Sequence, residues 1–175
     1  MSNQNDHLAL AGTFEKMFPS LGRGKFRRTF AISEDRIIKV PLFEDCYPDN
    51  LFEAELYSTN RFSFRDGRVW DVVPKSAPLR FRRFVDYFAA RGEPLPLAKC
   101  DLRWYGDVPV LTMERVTIYW EIPAWQRKDL TKAHPWVCWV DNQQAGLTRD
   151  GRFVCYDYNS WSDYSPILSY EHFAR

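Results

Sequence analysis

Several residues in this sequence stand where their chemistry has a use or a cost. Lys39 closes the run Arg36-Ile37-Ile38-Lys39, a lone cation on an otherwise apolar strand. An ammonium buried there is costly unless an anion meets it, so the side chain either snorkels to water or is paired. The segment that follows carries Glu53, with Glu55 on a different helical face, so a strand lysine and a helix glutamate can meet inside a cleft. Upstream, Gly22-Arg23-Gly24 directly precedes a strand. Glycines there permit the close backbone approach that a loop folded over phosphates requires, although a bare GxG is also an ordinary flexible turn. Arg27 stands where a GxGxxG pattern would place its third glycine. A further carboxylate, Asp157, comes directly after an apolar strand read over 153–156.

The elements that must position these groups can be read from pattern. Leu8, Leu10, Phe14 and Phe18 suit a short helix that packs as a lid or fringe. Residues 29–32, the polar break Ser33-Glu34-Asp35-Arg36 and residues 37–40 predict a strand, a turn and a strand. Asp49 and Asn50 offer an N-cap to a helix with apolar positions Leu51, Phe52, Leu56 and Phe62, on which Glu53 and Tyr57 share a face. Asp66-Gly67 marks a turn, residues 69–73 read as a strand, and residues 79–90 as a helix stopped at Arg91-Gly92. Residues 97–104 and 108–116 form a hairpin around Tyr105-Gly106-Asp107. One short helix falls within 122–133, then an apolar run to Val140, a polar loop over 141–146 and a last hairpin turning at Asp150-Gly151.

At 175 residues and 45% hydrophobic, the chain is sized for one domain with a real core, and seven Trp, nine Tyr and thirteen Phe build that core from rings. A formal charge of +1 gives no reason to expect nucleic acid as the main partner. Basic residues interleaved with aromatics at 23–28 (RGKFRR) and 79–83 (LRFRR) leave RNA binding as a remote alternative to plain solvated faces. Cys46, Cys100, Cys138 and Cys155 form no CxxC pair and His is scattered, so no structural metal is expected and a reducing, cytoplasmic setting is. No signal peptide or apolar span long enough for a membrane is read.

Taken together these segments resemble the protein kinase-like superfamily, which includes the aminoglycoside phosphotransferases. LGRGKFRRTFAIS resembles the glycine-rich strand pair, RIIKV the VAIK strand, and NLFEAELY the helix whose Glu pairs with that Lys. VPVLTMERV resembles the strand entering the hinge, which implies an adenine pocket bordered by residues 113–116, Glu114 and Val116 included. The resemblance implies an α+β, kinase-like fold: an antiparallel-sheet N-lobe over 18–116 with its helix C, and a strongly reduced C-lobe over 117–175, in one domain spanning 1–175.

The family places a catalytic Asp five residues before a metal-binding Asn, which precedes the DFG Asp by about thirteen. With Asp157 as that last Asp, counting back puts Gln144 at the Asn position and Trp139 at the catalytic Asp position. Indole can neither orient nor deprotonate a hydroxyl, and the nearest carboxylate is Asp141. The resemblance therefore implies ATP held through Gly22, Gly24, Lys39, Glu53, Glu114, Val116 and Asp157, with Mg2+ at Asp157 and Gln144. Only 22 residues, 117–138, separate the hinge-like strand from the loop, too few for a full large lobe.

Two functions follow from that resemblance. One is a pseudokinase-type binding or regulatory module that engages a protein partner and keeps a nucleotide. The other is an active atypical phosphotransferase with Asp141 as base alongside Lys39 and Glu53, and Asp157 as metal ligand. Against both stands a small α+β protein in which Lys39, Glu53 and Asp157 are ordinary charges. Economy of length would suit a mobile-element, phage or other viral accessory protein.

Overall fold

The computed structural model describes residues 6–24, 26–63, 69–73, 75, 77–140 and 143–158. The chain is an α+β protein with a five-stranded antiparallel sheet, a three-stranded antiparallel sheet and, among the described residues, four α-helices of ten residues or more. The described residues fall into two compact units, divided at Tyr57/Ser58, Leu97/Ala98 and Arg115/Val116. The last division lies beside the boundary read at 116, while residues 58–97 group with the second unit.

In the first unit, β1 (Ser20–Arg23), β2 (Arg27–Ala31), β3 (Arg36–Pro41), β4 (Cys100–Tyr105) and β5 (Val108–Glu114) lie in the order β1-β2-β3-β5-β4. Strand alternation sorts their side chains. Phe30, Ile38, Val40, Val108 and Val110 line one face, where Ala11 and Phe14 of α1 (Asp6–Met17) complete a buried cluster. The N-terminal helix is thus part of the core and not a fringe. The opposite face carries Arg27, Thr29, Lys39 and Leu111, brought side by side by the β2–β3 and β3–β5 registers. β4 and β5 form the expected hairpin, tightened to the two residues Gly106-Asp107, with Gly106 at φ +59°.

Helix α2 (Tyr47–Ser63) starts before the anticipated cap, carrying Pro48 in its first turn, where a missing N–H costs nothing. Asn50 is therefore not an N-cap. It is a fully buried residue on the inward face, with Glu53 and Leu56 following at helical spacing.

In the second unit, residues 69–73 are helical and not a strand: α3 (Val69–Val72) is one turn, closed by Val73 N–H donating to the Val69 carbonyl. The two valines are four apart and both buried, a helical pairing that β-branched composition disguised. α4 (Leu79–Ala89) buries Phe81, Phe84, Val85 and Phe88, one stripe at i, i+3, i+4, i+7. It ends at Gly92, φ +64°, with Gly92 N–H on Ala89 O and Glu93 N–H on Phe88 O, a Schellman closure. Phe84 and Phe88 meet Trp136 edge-on at 5.6 and 6.1 Å, and Trp136 meets Phe153 at 5.3 Å. Part of the aromatic richness of the sequence is spent on this core, while Trp120 and Trp125 stay exposed.

The strand read over 108–116 is broken at Arg115, whose N–H donates to Asp35 O, and the chain resumes as β6 (Val116–Ile118) in the other sheet. There β6 pairs with β7 (Ala145–Thr148), which pairs with β8 (Phe153–Cys155). The short helix α5 (Ala124–Ala133) lies within the expected range, and residues 135–139 form a 3-10 turn. Thr148 and Arg152 bond the Asp150 carboxylate in the β7–β8 turn and hold it at about 2, below the ordinary Asp value. The turn read at Asp66-Gly67 lies outside the described residues.

Candidate functional site

Lys39 and Glu53 meet. The ammonium on the third strand donates to Glu53 Oε2 at 3.1 Å, with Lys39 only 4% exposed and Glu53 0%. The pairing follows from register: Lys39 points to the face on which α2 lies, and Glu53 sits on the inward stripe of that helix. Of the two open alternatives for Lys39, the buried pair is the one realised.

Two residues that sequence reasoning did not assign complete the arrangement. Arg27, 7% exposed, places Nη1 at 2.9 Å from Glu53 Oε1, so one carboxylate meets a cation at each oxygen. The same guanidinium donates to Asn50 Oδ1 at 3.2 Å. Asn50 Nδ2 in turn donates to the carbonyls of Lys39 at 3.2 Å and Pro109 at 2.9 Å. The Lys39 carbonyl belongs to the last β3–β5 pair, Lys39 with Leu111, while that of Pro109 lies beyond it, where Pro41 on β3 has no N–H to offer. A side-chain amide thus takes over where the backbone ladder stops. The available signals were period two on β2, which puts Arg27 and Thr29 on one face, and the three-residue spacing from Asn50 to Glu53. Sequence reasoning takes Arg27 only as a displaced glycine and part of a basic patch, two of whose four cations the structure engages: Arg27 with Glu53, and Arg28 held bidentately by Glu15 at 2.7 and 3.0 Å.

The glycine segment forms the edge strand β1, exposed throughout. Gly22, at φ +153°, sits at a register shift against β2, and Gly24 N–H closes the hairpin on Arg27 O at 2.9 Å. Glu114 ends β5 with its N–H donated to Lys99 O at 2.8 Å. Val116 opens β6 opposite Thr148, in the second unit.

Within the second unit, Gln144 and Asp157 are brought to one end of the β7–β8 hairpin. Gln144 immediately precedes β7, and its carbonyl accepts the Tyr156 N–H at 3.0 Å, one residue before Asp157. The thirteen-residue spacing is the length of that hairpin. Gln144 Oε1 is buried with no hydrogen-bond partner among the described residues, as is Oε1 of Gln143. Gln143 is 3% exposed and sits at φ +45°, in the left-handed region that non-glycine residues enter at a cost of about 1–2 kcal/mol. Burial, followed by the Asp157 carboxylate, pushes the Tyr156 phenol far above its ordinary value. Trp139 lies in the 3-10 turn with its ring edge-on to Tyr87 at 5.3 Å, a packing contact. Asp141 lies outside the described residues.

All four cysteines are buried free thiols, and burial raises Cys46 and Cys138. Among the described residues no group of three or more His, Cys, Asp or Glu is gathered in a way that could hold a metal ion, and no helix is long and apolar enough to cross a membrane.

Comparison with protein-family models, curated proteins and solved structures finds no match to this chain.

Proposed function

We propose that this chain is a pseudokinase-like binding or regulatory protein, with a kinase-like fold reduced in its second half, that holds a nucleotide and acts on a protein partner. The observation that carries the reading is the buried Lys39–Glu53 pair: a lysine on the third strand of an antiparallel sheet, held by a glutamate on the helix that follows it. In the kinase family that pair positions the lysine toward nucleotide phosphates. The glycine-bearing hairpin β1–β2 precedes the lysine strand in the order the reading requires.

The groups present are compatible with the implied ATP and Mg2+ to a defined extent. Lys39 supplies a preoriented cation for phosphate, while the buried Gln144 oxygen, without a partner among the described residues, and the carboxylate of Asp157, the residue after Tyr156 whose N–H bonds Gln144 O, are hard oxygen donors of the kind Mg2+ takes. The bound metal would neutralise phosphate charge. Trp139, packed against Tyr87, offers no proton acceptor at the position where the resemblance implies a catalytic Asp. Binding without transfer is the reading these residues support.

Thermal unfolding tests it. ATP with Mg2+ at one hundred times its dissociation constant should add about 2.7 kcal/mol of stability, raising the melting temperature by roughly 5–10 °C. Lys39→Met should melt lower without ligand and lose most of that ligand-induced rise. An unmoved wild-type melting temperature removes the nucleotide reading. Labelled-phosphate transfer abolished by Asp141→Asn would replace the binding module by the active phosphotransferase.

A further inference from the structure

We propose that the outer edge of β4 is a self-association surface, on which a second copy of this chain adds its own β4 antiparallel to form a continuous ten-stranded sheet. The two edges of the five-stranded sheet differ. β1 is four residues long and interrupted by the Gly22 register shift, which twists an edge away from further pairing. β4 is six residues long, runs in unbroken register along β5 and contains no proline. It lacks the shortness and the register shift of β1, and the charges it carries, Asp101 and Arg103, are of opposite sign.

The phase of the β4–β5 ladder shows which backbone groups are free. Glu114 N–H donates to Lys99 O, so Lys99, Asp101, Arg103 and Tyr105 turn their backbone groups toward β5. Leu102 and Trp104 therefore turn theirs outward, and no hydrogen bond among the described residues engages them. Trp104 is also 58% exposed.

Only registers that oppose outward residues to outward residues close hydrogen-bonded pairs, and among those centred on Asp101, Leu102 or Arg103 charge chooses. Centring the two-fold axis on Arg103 opposes the two Arg103 side chains. Centring it on Asp101 opposes the two aspartates and sets Arg103 against Lys99. Centring it on Leu102 opposes Asp101 to Arg103 twice, Leu102 to Leu102, and Trp104 to Cys100. Directly opposed unlike charges stabilise an antiparallel pair and like charges weaken it, so the Leu102-centred register is selected. Asp101 meets Arg36 through Oδ2 at 3.1 Å and has a second oxygen for the partner's arginine.

Sedimentation equilibrium of the full chain over a concentration series should show mass rising from 20.8 kDa toward twice that value. Arg103→Glu should weaken the association by roughly tenfold or more, because both unlike pairs become like pairs. Oxidation should link Leu102→Cys into a covalent dimer, since facing residues on such an axis lie about 5.5 Å apart at Cα, within disulfide reach. Arg103→Cys, offset from its own copy, should not link, and neither should the wild type, whose cysteines are buried. A monomer at every concentration overturns the proposal, as does a dimer indifferent to Arg103→Glu or equally fast linkage through Arg103→Cys.

Discussion

Glu53→Ala should cost about 3–5 kcal/mol, the usual consequence of deleting one side of a buried ion pair. The effect should lie at the high end, because the deleted carboxylate meets Lys39 at one oxygen and Arg27 at the other. Removing it strands two buried cations near one another. For a chain of this size such a loss lowers the melting temperature by roughly 10 °C or more, and urea unfolding followed by tryptophan fluorescence measures it directly. Glu53→Gln, which keeps the shape and one acceptor, should fall between wild type and alanine. If the alanine variant unfolds within about 0.5 kcal/mol of wild type, the size of an ordinary surface substitution, the triad is peripheral to the fold.

Gly146→Ala should also be strongly destabilising. Gly146 lies in β7 opposite Ile118, and an added Cβ there would collide with the Thr117 carbonyl oxygen and stand 2.8 Å from Val116 Cγ2. A backbone carbonyl cannot swing aside as a side chain can, so β6 would have to separate from β7. The expected loss is about 3 kcal/mol, the upper part of the range for overpacking. Denaturation of this variant beside Gly12→Ala, where an added Cβ meets nothing within 4 Å on an α-helix, isolates the steric term. Equal stabilities for the two would contradict the close β6–β7 approach.

Much of the arrangement around Lys39 was legible because burial imposes a demand that sequence displays. A lysine among Ile37, Ile38 and Val40 must either snorkel to water or find an anion, and the next helix offered Glu53. Arg27 and Asn50 were missed for a different reason. Each fits a cheaper local story, a basic cluster and a helix cap, and only the registry of β2 on β3 and the actual start of α2 decide against it. The 69–73 segment failed because valines four apart share one face in a helix and in a strand alike, and tertiary context decides between them. The break at Arg115 carries no glycine or proline to announce it. The Gln144–Asp157 spacing was legible since a hairpin with a tight turn returns the chain to its start after a fixed number of residues.

Asn50 has a dynamic consequence. Its carboxamide ties the carbonyls of two neighbouring strands to the first turns of α2, and its oxygen holds the arginine of a third strand. The N-terminal half of the helix therefore cannot slide or tilt as a lever while the sheet stays closed. Helix and strands should exchange their amide hydrogens with a common opening free energy, as one cooperative block. Any signal passing through this helix would have to be carried by unzipping that block, not by a rigid swing.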